Sequence, residues 1–209
     1  MVRQRLRIRF CKQGDLRLIG HRDLMRCFER LFRRAGLPLG MSEGFHPKPR
    51  MTFPLALAVG IEGTDEVMEL ELAQPRTAEQ VHARLAPHLP TGLVLTAVEA
   101  LPTGTKKGRV TSVAYEVPIP PQCREGLSER IDRLLAAESF PVQRPNRRTS
   151  IDLRASLQEL TLREGVLRMR LRIENQTGAK PQEVLAALGL EGPQLEGVYP
   201  TRTAVEIQS

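Results

Sequence analysis

Residues 2–10 alternate between apolar and cationic side chains. Val2, Leu6, Ile8 and Phe10 fall on one side, and Arg3, Arg5, Arg7 and Arg9 on the other. A period of two is the signature of a strand with one face buried and one face open. Such a strand belongs to an antiparallel sheet covered on one side only. It also commits one sheet face to a row of positive charge.

That charge is concentrated. The 209-residue chain carries 31 Lys and Arg against 24 Asp and Glu, a formal net charge of +7. Residues 1–50 hold 13 of the cations and 4 of the acids, which leaves +9 there and −2 for the remainder. A basic excess gathered into a quarter of the chain suits a polyanionic partner if it folds onto one surface.

A helix is predicted from His21 to Ala35, with Leu24, Phe28, Leu31 and Ala35 as its apolar stripe. Arg22, Arg26, Arg30 and Arg34 recur every four positions as a basic ridge, with only Asp23 and Glu29 to offset it. Gly36 and Pro38 end the helix. Residues 40–50 form a loop dense in Gly and Pro, within which Pro47 and Pro49 stiffen the backbone. Strands are then predicted at 51–59 and 68–72, a helix at 78–86 and a strand at 92–101. Lys12 to Asp15 reads as a turn, with a continuing strand at 16–19. The order is β-α-β-β-α-β, the ferredoxin-like plan.

Residues 103–110 read as a hinge, after which the pattern restarts. A strand is expected at 113–119, a helix at 124–137, and a hairpin of strands 151–162 and 166–173 turning at Arg163-Glu164-Gly165. A helix at 181–188 and a last strand within 195–207 complete it. The expected fold class is therefore α+β, two tandem ferredoxin-like (βαββαβ) domains with antiparallel sheets. The domains are residues 1–102 and 111–209, joined by 103–110.

No apolar run approaches the ~18 residues of a membrane span, and the charged N-terminus lacks a secretion signal. A cytoplasmic location is expected. Cys11, Cys27 and Cys123 are scattered, which argues against a disulfide framework, a zinc knuckle or an iron–sulfur motif. They read as small buried hydrophobes. No His-Glu-x-x-His, Walker or Gly-x-Ser-x-Gly motif is present. No metal or cofactor is expected.

Four stretches, Arg7–Arg17, His21–Arg26, Arg33–Leu39 and Glu43–Phe53, carry a resemblance. In them the chain closely resembles a radical-SAM-associated bacterial family of domains of unknown function. Members of that family stand alone or are fused to the C-terminus of a cobalamin-type radical SAM protein. The resemblance covers nearly the whole chain, is strongest over residues 5–60, and is carried most specifically by His-x-Asp-Leu-Met and Gly-Phe-x-Pro-x-Pro. In the second half its best piece is Arg148–Arg154. This chain lacks the three-cysteine cluster of the radical enzyme, so the resemblance implies an accessory partner. A looser architectural resemblance is to the CRISPR repeat-processing endoribonucleases, which also pair ferredoxin-like domains with a basic, glycine-containing loop. Likeness of fold is a weak guide to activity.

The candidate RNA-binding residues are Arg5, Arg7 and Arg9 of the first strand, Lys12 after it, Arg22, Arg26, Arg30 and Arg34 of the helix, and His46, Lys48 and Arg50 of the loop. Each has a plain alternative: an edge strand charged against aggregation, a solvated helix face, a rigid crossover. Phe45 can stack a base, but a buried anchor beneath the loop is the expectation. His21 and His46 flank one helix–loop unit and form the one pair suited to acid–base chemistry. His82 and His88 read as surface residues. In the second half, Arg144, Arg147, Arg148 and Arg154 flank a strand entry and Arg168, Arg170 and Arg172 alternate along a strand. There 13 cations face 13 acids, so these rank below the N-terminal set.

The sequence thus suggests a non-enzymatic protein that holds structured RNA, tRNA or rRNA, for a radical SAM partner. The alternatives are a metal-independent endoribonuclease using His21 or His46, or a protein adapter whose arginines meet an acidic surface of that enzyme. Few aromatics (4%, with no Trp) favour backbone and shape recognition over stacking.

Overall fold

A computed structural model describes residues 4–144, 150–174, 177–191 and 195–208. The chain divides into two compact units, Met1–Arg109 with Gln208–Ser209, and Val110–Ile207. It is a mixed α/β protein whose strands are mostly antiparallel, with a small separate two-stranded sheet. Among the described residues, no helix is long and apolar enough to cross a membrane.

In the first unit, β1 (Gln4–Lys12) leads through a short 3-10 turn (Gly14–Leu18) into α1 (His21–Arg34). Then come β2 (Met51–Thr52), β3 (Glu62–Leu72), α2 (Ala78–Leu85) and β4 (Leu93–Leu101). The strands lie side by side as β4-β1-β3-β2, every pair antiparallel. The alternation of β1 is realised: Leu6, Ile8 and Phe10 are fully buried. They meet Leu24, Phe28, Leu31 and Phe32 of α1 and Val81 and Leu85 of α2 in one core. Phe10 and Phe28 meet edge to face at 5.0 Å, and Phe53 packs on both. Thr77 caps α2 reciprocally with Gln80, the capping box.

Three expectations need correction here. The strand predicted at 51–59 is only Met51–Thr52, because Pro54 has no amide to give a ladder. The strand predicted at 68–72 begins six residues earlier, at Glu62. Its acidic first half hid it, since a run with Glu62, Asp65 and Glu66 does not look like strand until its cationic neighbour is known. The predicted strand continuation at 16–19 is instead the 3-10 turn.

In the second unit, β5 (Arg109–Pro118) is followed by α3 (Leu127–Ala136), β6 (Pro141–Val142) and β7 (Ile151–Asp152). Then come α4 (Leu153–Ser156), β8 (Leu157–Arg163), β9 (Val166–Glu174), β10 (Thr177–Gly178), α5 (Pro181–Ala187) and β11 (Thr201–Gln208). The main strands run β8-β9-β5-β11, while β6 and β7 form the small sheet. The predicted hairpin turns at Glu164 and Gly165, both at positive φ (52° and 77°), as a tight turn between right-twisted strands requires. The continuous strand predicted at 151–162 is broken. Asp152 accepts hydrogen bonds from the amides of Arg154 (2.9 Å) and Ala155 (3.3 Å) and so starts α4 inside it.

Candidate nucleic-acid interface

The cations of the first unit fall into two groups with different surroundings. The first is the outer face of β1. Its neighbour β3 sets Glu71 opposite Arg5 and Glu69 opposite Arg7. Glu69 accepts from Arg5 at 2.5 Å and from Arg7 at 2.8 Å, and Arg9 pairs with Asp65 at 2.5 Å. Glu69 is only 4% exposed. Burial alone would raise its carboxyl, but the hydrogen bonds and charges of Arg7 and Arg5 win and hold it below the ordinary value. Arg5 also donates to the carbonyls of Thr105 and Lys106, tying the 103–110 segment to β1. Cys11, on the same strand face, donates to the Thr64 carbonyl. Its thiol is pushed up by burial and by the nearby Asp65 and Glu66 charges, so it is not a reactive thiolate.

Lys12 leaves the candidate set. It is 1% exposed and its ammonium donates to the carbonyls of Ile19 (3.0 Å) and Arg17 (3.4 Å). Its place was readable: Lys12 has the same parity as Leu6, Ile8 and Phe10, the buried side of β1. The ammonium ties the turn after β1 to the strand end.

The second group lines a groove of about 700 Å³ between α1 and the 40–50 loop. Met25, Leu37, Leu39, Met41, Pro47 and Pro49 give it an apolar floor; Arg22, Arg26, Arg33 and Lys48 supply the cations and Glu29 the one acid. Arg26 has a weak exposed partner in Asp23 at 3.4 Å. Among the described residues, Arg22, Arg33 and Lys48 have no ion pair, and neither do Arg30 and Arg34 on the exposed helix surface.

Helical geometry explains which arginines reach the groove. At ~100° per residue, a ridge stepping by four drifts ~40° each step. Relative to Arg22, Arg30 is turned by about 80° and Arg34 by about 120°, whereas Arg33 is displaced by only about 20°. Arg30 and Arg34 therefore lie outside the groove lining and Arg33 lies within it. Sequence reading by i,i+4 spacing overlooked Arg33; counting angles from Arg22 would have found it.

The loop is held by its own backbone. The Ser42 amide donates to the Lys48 carbonyl (2.8 Å), and the Lys48 amide returns a bond to Ser42 Oγ (3.0 Å). Gly44 turns the chain at φ 115°. Gly40 sits where a Cβ would come within 3.0 Å of Glu71, and its amide donates to the Glu71 carbonyl at 2.7 Å. Arg50 is a loop fastener: its Nε donates to the Met41 carbonyl at 3.0 Å, and Glu43 and Glu71 lie 3.7 Å from its guanidinium. His46 and Lys48 are exposed. Phe45 is fully exposed at the loop tip, not the buried anchor expected. The loop residues that line the groove are Met41, Pro47, Lys48 and Pro49.

Among the described residues, no hydrogen bond, ion pair or ring contact joins His21 to His46. His21, the first residue of α1, packs edge-on against Phe53 at 5.3 Å. His46 stays on the exposed loop, and neither lines the groove. Among the described residues, no group of three or more His, Cys, Asp or Glu side chains could hold a metal.

The second-unit arginines resemble the β1 row. Arg144 grips Glu183 through two bonds, 2.6 and 2.8 Å, and donates to the Gly178 carbonyl at 2.6 Å. Burial would raise Glu183, but Arg144 and the Lys180 amide hold it low. Arg154 donates to the Leu135 carbonyl at 2.9 Å, Arg168 pairs with Glu116 at 2.8 Å, and Arg170 pairs with Glu206. Arg172 lies 3.9 Å from Glu174. Arg147 and Arg148, and with them the start of the Arg148–Arg154 motif, lie outside the described residues.

Residues 5–183 match the family described as "Uncharacterized protein conserved in bacteria (DUF2344)", and the chain belongs to that family. No curated protein matches it. A matching solved structure is the crystal structure of an unknown protein from Galdieria sulphuraria, 14% identical over 100% of both chains with a TM-score of 0.28. Similarity at that level says nothing about function, and none of these matches links the chain to radical SAM proteins.

Proposed function

Starting from that membership, we propose that the protein is an RNA-binding accessory protein that holds a structured RNA, tRNA or rRNA, for a radical SAM enzyme that modifies it. The observation that carries the RNA reading is the groove of α1, with four cations against one acid and, among the described residues, no ion pair to three of those cations. Unpaired cations in a row repel one another by a few tenths of a kcal/mol each. Phosphates relieve that repulsion and release counterions on binding. Arg22, Arg26, Arg33 and Lys48 are the phosphate contacts, with Arg30, Arg34 and His46 on the flanks. The arginines of β1, Arg50 and Lys12 serve the fold.

The radical SAM partner rests on the sequence resemblance over residues 5–60. For architecture, we read both units as ferredoxin-like. The succession β4-β1-β3-β2 recurs as β11-β5-β9-β8, and the second unit is elaborated by the β6–β7 sheet and α4.

The test is ultraviolet crosslinking and sequencing of the RNA retained by the purified protein, wild type beside Arg22→Glu/Arg26→Glu/Arg33→Glu. One enriched RNA class, lost in the variant, is expected. Retention of no RNA above background, together with nuclease-resistant co-purification of a protein, would replace the RNA by an acidic protein surface. Defined RNA cuts in EDTA that vanish in His46→Ala or His21→Ala would make the protein a nuclease.

A further inference from the structure

Phosphate binding accounts for the groove's rim and leaves its floor and Glu29 unexplained. A strip that reads only the RNA backbone needs no apolar floor, and a carboxylate in it repels phosphate. Yet Met25, Leu37, Leu39, Met41, Pro47 and Pro49 share the lining with the cations. Glu29 sits among them half-buried, with no hydrogen bond or ion pair among the described residues. An ionised carboxylate is acceptor-only, so it asks for a ligand with N–H donors. Apolar floor, acceptor and surrounding cations together describe a nucleotide: a flat face, an amino edge and flanking phosphates.

We propose that the groove receives one unstacked nucleotide of the RNA, its base on the apolar floor and its flanking phosphates on Arg22, Arg26, Arg33 and Lys48. Glu29 accepts a hydrogen bond from the base's amino group. The inference rests on the RNA reading above and sharpens it. The thioethers of Met25 and Met41 are polarizable and adapt to an aromatic face. A groove of about 700 Å³ falls within the range of small-ligand pockets, ~300–1,000 Å³. Adenine, guanine and cytosine offer an exocyclic amine, whereas uracil offers only its N3–H, flanked by two carbonyl oxygens that repel a carboxylate, so Glu29 favours those three. The substrate is then an RNA loop or bulge with an unpaired amino base, not a continuous duplex.

The experiment measures anisotropy of fluorescein-labelled RNA hairpins at fixed salt. Three probes of equal length are compared: a hairpin with an unpaired adenosine loop, one with a uridine loop, and a blunt duplex. The wild type is expected to bind the adenosine hairpin about tenfold tighter than the duplex, the gain from seating one base on the apolar floor. It should prefer adenosine over uridine by several-fold. Glu29→Gln should erase that base preference while keeping or raising total affinity, because it removes a charge that repels phosphate. Met41→Ala, at a side chain already exposed, should cut hairpin binding and spare duplex binding, because it shortens the apolar floor without changing the charge. Free AMP should compete only at far higher concentration than the hairpin; competition at equal concentration would mean a free-nucleotide site and overturn the RNA-loop assignment. Equal affinity for hairpin and duplex, both lost in Arg22→Glu/Arg26→Glu/Arg33→Glu, would overturn the nucleotide pocket and leave RNA binding standing. No binding of any probe at low salt would overturn both.

Discussion

The outer face of β1 and the groove face of α1 look alike in sequence, each a row of arginines at the period of its element. In space they differ in their neighbours. The β1 row lies beside β3, whose Glu69 and Asp65 take up Arg5, Arg7 and Arg9. The α1 row faces an apolar floor and one carboxylate. Charge density in a sequence therefore does not measure surface potential. What matters is whether the adjoining element, often sixty residues away, carries the opposite sign.

That contrast can be broken at its strongest point first. Glu69→Ala removes a buried carboxylate shared by two guanidiniums. Breaking a buried pair from one side costs about 3 kcal/mol, to be read as a shifted urea midpoint with RNA affinity unchanged. Arg22→Glu/Arg26→Glu/Arg33→Glu should do the reverse. Reversing three exposed charges leaves stability within about 0.5 kcal/mol. It should weaken RNA binding about a hundredfold or more at moderate salt.

Acid should separate the two faces as well. The Glu69 and Glu183 carboxyls lie below their ordinary value in the fold. A depressed carboxyl gives stability that is present above its unfolded pKa and lost as pH falls through its folded one. Thermal stability should thus hold near neutral pH and decline from about pH 4.3 downward. In Glu69→Gln that decline should be shallower, from a lower starting point. The smallest effect is expected from Phe45→Ala. Its ring is fully exposed, so the melting temperature should not move, whereas Phe28→Ala in the core should cost about 3 kcal/mol or more.

Much of the fold was legible because local patterns matched their final surroundings. The parity of β1, the stripe of α1 and the turn at Glu164-Gly165 each encode their own geometry. The same parity placed Lys12 inside, and helical angle placed Arg33 in the groove beside Arg22; both signals were in the sequence. The acidic start of β3 was not legible, because Glu62, Asp65 and Glu66 read as strand only beside their partners. Nor was the break at Asp152, where a side-chain cap outcompetes a ladder inside a β-like run. Phe45 was misplaced because a lone aromatic in a Pro-rich loop looks like an anchor, whereas this loop is held by the Ser42–Lys48 hydrogen bonds and by Arg50.

The most direct test of the contrast is the salt dependence of RNA affinity for Arg33→Gln beside Arg9→Gln. Each removes one cation, the first from the groove rim and the second from a pair with Asp65. Loss of one phosphate contact lowers the slope of log affinity against log salt by about 0.7–0.9. The predicted result is that drop for Arg33→Gln and an unchanged slope for Arg9→Gln. The opposite pattern, or the same slope in both variants, would contradict the assignment of RNA to the α1 groove.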